Sequence, residues 1–259
     1  MNHFQYLAST SVSQAQQWLQ DHAQSKLLAG GMTLIPSMKH RLIAPEHLID
    51  IIKLSDLHGL VVHDDFLQIG AASTHQFVAD SSVVNQTIAG LAQLAGGIGD
   101  PQVRVRGTLG GSVANNDPAA DYPAALLALG ATVVTTQRHI QADDFFLGMF
   151  STALAEDEII TAVKFSIPLR SAYAKFRHPA SGYAMAGVYV AQFTSGYQVA
   201  VTGAADGVFR WSEAEAALAE QRTDLKLQHP GLLDDMHAPA AYRAQLASVM
   251  LDQAFKKLI

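Results

Sequence analysis

The chain has 259 residues, 49% hydrophobic and 15% charged, with a formal net charge of −6. That length suits one large domain or two modest ones, and the apolar content supports a real core and excludes disorder. Scattered lysines and arginines argue against nucleic acid and the lack of a long apolar run argues against a bilayer span, while zero cysteines exclude disulfides, thiol catalysis and all-cysteine iron–sulfur clusters in this chain.

The first residues, MNHFQYLAST, lack the charged and apolar regions of a signal peptide, so the expected location is cytoplasmic. Ser11–Gln24 carries Val12, Ala15 and Leu19 on one face and predicts a helix. Lys26–Leu28 is a short strand broken by Gly30-Gly31, and Leu34–Leu42 returns to helix. His47–Ile52 and Leu67–Ala71 have strand character, and Asn85–Ala95 reads as a helix. Tyr122–Leu129 predicts a helix closed by Gly130 at C′. Ala131–Thr136 and Ile159–Ile167, rich in β-branched residues, predict strands. Pro168 and the polar LRSAYAK segment mark a domain boundary. Beyond it, Ala184–Phe193 and Tyr197–Gly203 predict an antiparallel hairpin turning at Ser195-Gly196. Ser212 and Glu215 fit a capping box opening a helix over Glu213–Glu220, and Pro239 starts the longest helix, Ala240–Lys257. There is no internal repeat.

Several chemistries fall away on spacing. Gly110-Gly111-Ser112-Val113-Ala114 approaches the G-x-S-x-G elbow of hydrolases, but Ala114 occupies the last glycine position and Arg104-Val105-Arg106 is a poor preceding strand. Gly97-x-Gly99 lacks the third glycine of a dinucleotide fingerprint, where Gln102 stands, and no phosphate-binding P-loop occurs. The eleven histidines show no HExxH or similar spacing, so no metal site is expected. The acidic pairs Asp64-Asp65, Asp143-Asp144 and Asp234-Asp235 read as solvated loop residues.

Two glycine pairs remain. Ala29-Gly30-Gly31-Met32-Thr33 and Thr108-Leu109-Gly110-Gly111-Ser112 each end in a hydroxyl residue. Both could be tight turns. Both could equally let backbone amides approach the oxygens of a phosphate, the first loop also leading into a helix N-terminus. Two converging loops would suit a pyrophosphate.

The segments LLAGGMTLIPSMKHRLIAPEHLIDI and GGIGDPQVRVRGTLGGSVANNDPAADYPAALLALGATVV resemble the two signature segments of the FAD-binding medium subunit of molybdenum hydroxylases. That family includes the carbon monoxide dehydrogenase and xanthine dehydrogenase flavoproteins. The resemblance continues through EIITAVKF and KFRHPASGYAMAGV. It implies an α+β fold: a two-part FAD-binding domain of the vanillyl-alcohol-oxidase (PCMH) type over 1–170, with subparts of about 1–55 and 56–170. A small α+β C-terminal domain of antiparallel sheet and helices would follow over 171–259. It implies that Ala29–Thr33 and Thr108–Ser112 hold the FAD pyrophosphate and that Asp121 hydrogen-bonds the nucleotide. Ile98 would line the flavin, Ile160 the adenine side, and Lys175 would lie near the ring; plain core or surface roles are the alternatives for these three. Met32 and Asn115 depart from the polar residue and the histidine that relatives often carry there.

The resemblance further implies noncovalent FAD and a relay of electrons, with no catalytic acid or base in this chain. A small subunit would carry two [2Fe-2S] clusters, a large subunit the molybdenum cofactor, and NAD, quinone or oxygen would be the final acceptor. The missing cysteines fit clusters held elsewhere and exclude a cysteinyl flavin link. The alternatives are a stand-alone flavin oxidase of the same fold and a nonenzymatic flavin-binding module.

Overall fold

The computed structural model describes residues 1–258. Its first part holds β1 (Gln5–Ala8), α1 (Val12–Asp21), β2 (Ser25–Leu28), α2 (Leu34–Lys39) and β3 (His47–Asp50). β3 is central and pairs parallel with both β1 and β2. The Ser11 side chain caps α1 by accepting from the Gln14 amide at 3.1 Å. Buried Ala15 then packs with Ile49 in a small core. Both helices stop short of their predicted ends: His22 leaves α1 in an extended conformation at φ −118°, ψ 102°, and Arg41 turns left-handed at φ 59° after α2.

The second part comprises β4 (Leu60–Val62), β5 (Phe66–Gly70), α3 (His75–Asp80), α4 (Ser82–Thr87), α5 (Ala89–Gly96), α6 (Pro101–Arg104), α7 (Leu109–Asn115), α8 (Tyr122–Ala128), β6 (Thr132–Thr135), β7 (His139–Gln141), α9 (Ala142–Phe145), β8 (Phe146–Gly148), β9 (Ser151–Thr152) and β10 (Ile160–Ser166). Five strands form an antiparallel sheet in the order β4-β5-β10-β6-β7. Leu67, Ile69, Val133, Val163 and Phe165 share a core with Leu91, Leu94, Tyr122 and Leu126 from α5 and α8.

Two expectations change here. The single helix over Asn85–Ala95 divides at Ile88, which is non-helical at φ −141°, ψ 73°. The break lets the Gly90 amide donate to Ser171 Oγ at 3.2 Å, a partner from a distant strand. The segment after Thr108, expected as a loop, is the helix α7; Thr108 Oγ1 caps it by accepting from the Gly111 amide at 3.2 Å.

The last part holds β11 (Arg170–Arg177), β12 (Ala184–Phe193), β13 (Gly196–Thr202), β14 (Phe209–Arg210), α10 (Ser212–Ala219) and α11 (Ala240–Leu258). The polar LRSAYAK segment lies largely within strand β11, since it pairs along its length with β12. The β11–β14 meander is buried on both faces. Ala172, Ala174, Val188 and Val190 pack toward α10 and α11, while the alternating Tyr173, Tyr189 and Ala191 join the core of the preceding part. Two-sided burial explains the unbroken apolar run of β12. The capping box is not formed. Trp211 is the N-cap without a side-chain bond, and Glu215 Oε1 instead accepts from Val199 N at 3.0 Å and Arg210 Nε at 2.7 Å.

Candidate cofactor site

A cavity of about 760 Å³ is bordered by the loop after β2, the segment leading into α7, and residues 181–183. Its geometry starts with Gly30. A Cβ there would stand 2.1 Å from Arg106 O and 2.8 Å from Gly107 Cα, so the two glycine-rich segments meet backbone to backbone only because Gly30 has no side chain. Gly31 follows at φ 73°, in the left-handed region.

The two loops do different work. Among the described residues, no acceptor takes the amides of Gly30, Gly31, Met32 or Thr33, so the first loop presents a run of uncommitted donors beside the cavity. The second loop is largely committed, with Thr108 N alone lacking an acceptor among the described residues. Leu109 N donates to Ser73 O at 2.9 Å, Gly110 N to Ala71 O at 2.8 Å, and Ser112 N to Thr108 O at 3.0 Å. A Cβ on Gly110 would lie 2.6 Å from Ala71 Cβ. The second loop is therefore a close-packed wall, with Gly111 and Ser112 bordering the space.

The cavity brings together Ala29–Thr33, Ile98, Thr108, Gly110–Ser112, Asp121 and Ile160. Leu109 and Lys175 stand outside its lining. Leu109 is fully buried in the core, being the residue that faces inward at the start of α7. Lys175 is turned onto Asp121, its Nζ 2.8 Å from Oδ2, while Tyr173 donates to Oδ1 at 2.6 Å. Burial pushes the Asp121 carboxyl up, and Lys175 and Tyr173 pull against it. Lys175 thus bears on the cavity through Asp121.

Polar lining residues not singled out from the sequence include His75, Asp117 and Tyr183. Burial raises Asp117 above the usual carboxylate range, against an opposing bond from the Ala119 amide. Burial, with Asp117 and Asp121 nearby, also raises Tyr183. The one available signal was the HPASGY run, whose Pro, Ser and Gly mark a turn able to present Tyr183. Ser112 has no strand before its helix, α6 preceding it instead, so no hydrolase elbow exists. Among the described residues no group of three or more His, Asp or Glu could hold a metal.

Residues 2–169 match the family described as FAD binding domain in molybdopterin dehydrogenase. The chain belongs to that family. The nicotine 6-hydroxylase medium subunit of Paenarthrobacter nicotinovorans is 34% identical, covering 95% of this chain and 94% of its own. The carbon monoxide dehydrogenase medium chain of Hydrogenophaga pseudoflava is 33% identical over 97% of this chain and 95% of its own. The reconstituted CO dehydrogenase of Oligotropha carboxidovorans superposes with a TM-score of 0.91 at 29% identity, covering 99% of this chain and 98% of that one. This member of the FAD-binding family is a medium subunit of the molybdenum hydroxylase class, an oxidoreductase flavoprotein with FAD as its cofactor. The α+β fold implied by the sequence resemblance holds. The residues present suit FAD: free amides on one loop, a side-chain-free contact between loops, and a roomy cavity lined by both apolar and polar groups.

Proposed function

We propose that this chain holds FAD noncovalently and serves as the outlet of an electron relay. FAD supplies the redox chemistry that links iron–sulfur clusters on a small partner subunit to an external acceptor, NAD, quinone or oxygen. A large partner subunit carries the molybdenum cofactor and the substrate chemistry. The observation that carries this reading is the junction of Gly30 with Arg106-Gly107, which sets four free amides of Gly30–Thr33 on the cavity. The names of the relatives, medium subunits and medium chains, support an assembly of several chains.

In this reading Gly30, Gly31, Met32 and Thr33 donate to the pyrophosphate, while Thr108, Gly110, Gly111 and Ser112 form the opposite wall. Leu109 contributes by anchoring that wall in the core. Ile98 and Ile160 give apolar contact at two ends of the cavity, and Asp121, held by Lys175, orients nucleotide hydroxyls. We assign residues 1–170 to FAD binding and 171–259 to a supporting C-terminal unit. We assign the protein to the cytoplasm; no helix among the described residues is long and apolar enough to cross a membrane.

Purification tests it. The expected product is yellow, with an oxidised-flavin spectrum, and it comes down with an iron–sulfur and a molybdenum subunit. Gly111→Val, which places a branched side chain on the exposed cavity side of α7, should leave a folded, colourless protein. Protein that cannot be loaded with FAD would sink the reading, and a flavoprotein that isolates alone and consumes oxygen would replace the relay with an oxidase.

A further inference from the structure

His75 opens α3 and is stitched to the second glycine-rich segment. Its amide donates to Gly107 O at 2.9 Å, and Thr74 forms a β-bridge with Thr108. The residue is only 5% exposed, yet neither ring nitrogen has a hydrogen-bond partner among the described residues. The two nitrogens differ in surroundings. Nδ1 is sealed in the interior. Nε2 lies on the Gly107 side, 2.6 Å from where a Cβ on Gly107 would stand, and both His75 and Gly107 border the cavity. Gly107 is also where Gly30 makes its backbone contact, so His75 sits at the meeting point of the two loops.

An imidazole carrying one proton must place it on one of these nitrogens. An orphaned N–H in the interior is costlier and rarer than an under-used acceptor. The proton therefore belongs on Nε2, which leaves Nδ1 as a buried acceptor without a partner. Burial, reinforced by Arg104, holds the imidazolium pKa down to about 4, so the ring is neutral at ordinary pH. Arg104 faces it from α6 and Tyr122 from α8, at a ring-centroid distance of 5.4 Å, with Asp121 next to that tyrosine. The neighbouring helices α4 and α5 carry no ionisable side chain.

We propose that His75 is a cofactor-binding residue whose Nε2–H donates a hydrogen bond to an oxygen of the FAD pyrophosphate, on the side of the cradle where the second loop keeps only the Thr108 amide free. This rests on the FAD reading given above. The division of labour is physical: the first loop supplies a run of backbone donors, the second supplies chiefly shape, and His75 adds a side-chain donor on the second side. A neutral donor here adds a directed bond without a charge that titrates near neutrality.

The test titrates full-length apoprotein with FAD and separately with ADP, which carries the pyrophosphate but no flavin. His75→Phe keeps a ring and removes the donor; it should weaken both ligands about tenfold, the size of one hydrogen bond. His75→Gln, whose Nε2 can reach the same position, should restore binding to within about threefold of wild type. Between pH 6 and 8 wild-type affinity should show no step attributable to this histidine, and two-bond 1H–15N spectra should report the Nε2–H tautomer. The tautomer measurement stands even if His75→Phe fails to fold. Wild-type affinity in the Phe variant, or an Nδ1–H tautomer, overturns the proposal. Weakened FAD with unchanged ADP moves the bond away from the pyrophosphate and overturns it as stated. Wild-type protein that binds neither ligand refutes the FAD reading itself, a distinct outcome.

Discussion

Lys175 Nζ stands 2.8 Å from Asp121 Oδ2, with only 6% and 5% of the two side chains exposed. Asp121 borders the cavity, and Lys175 and Tyr173 hold it from behind. Burial outweighs the pull of Lys175 and Tyr173 on the Asp121 carboxyl, so removing Lys175 leaves that buried carboxyl stranded without its counter-charge. Lys175→Met should destabilise the apoprotein by about 3–5 kcal/mol at pH 8, measured by urea unfolding. The sign of the pH effect follows. Without Lys175 the buried carboxyl has a folded pKa above its unfolded value, so the folded state holds the proton longer and stability falls as pH rises from about 4. The variant should regain stability on acidification; equal losses at pH 5 and pH 8 would contradict this account.

Gly30→Ala and Gly111→Ala should differ. At Gly30 the new methyl would meet Arg106 O at 2.1 Å, a backbone atom that cannot swing aside, whereas at Gly111 it meets only Thr108 Oγ1 at 2.8 Å. Gly30→Ala is expected to cost about 1–3 kcal/mol through overpacking and to lower FAD affinity sharply. Gly111→Ala should cost about 1 kcal/mol or less, the worth of the disturbed N-cap bond. Thermal unfolding of both apoproteins, followed by FAD titration, gives the ranking.

Asn116 ends α7 in a left-handed conformation, φ 43°, and its Nδ2 donates to Gly148 O at 2.8 Å and Ser151 O at 2.7 Å. It thereby fastens the β8–β9 hairpin to the helix that walls the cavity. Asn116→Ala strands two carbonyls and should cost about 1–3 kcal/mol. Asn116→Asp should be worse at neutral pH, because a carboxylate would face those same oxygens with no proton to give. Urea midpoints at pH 7 and pH 5 would check it, the Asp variant improving at the lower pH.

Asp235 accepts from Arg243 Nη2 at 2.9 and 2.8 Å and from the amides of His237 and Ala238. These bonds, that from Arg243 foremost, hold its carboxyl down to about 2. A folded pKa below the unfolded one contributes stability that is complete above about pH 4 and lost as pH falls toward 2. The Asp235 side chain is 37% exposed, so screening leaves about 1 kcal/mol for Asp235→Asn to remove at pH 7. Acid titration of unfolding should show a shallower slope for the variant between pH 4 and 2.

Local order was legible where local physics governs it. Ser11 caps α1 as a hydroxyl before an amphipathic run, Gly130 closes α8 at φ 53°, and Gly196 turns the β12–β13 hairpin at φ 129°. The Ser212 and Glu215 capping box failed because Arg210 and the Val199 amide, set beside Glu215 by the β13–β14 pairing, compete for the same carboxylate. The Asn85–Ala95 helix broke at Ile88 because strand β11 offered Gly90 an outside partner.

The glycine pairs, the helical and strand periodicities and the extended resemblance along the chain were determined by the sequence alone, since each is a property of near neighbours or of residue order. Only the tertiary structure decided that Gly30 touches Arg106 and Gly107, that the first loop keeps its amides free while the second commits all but that of Thr108, and that Lys175 reaches Asp121 rather than the cavity. It alone brought His75 to the junction of the loops. Contacts between segments so far apart depend on how three sheets pack, and no short window of residues encodes that packing.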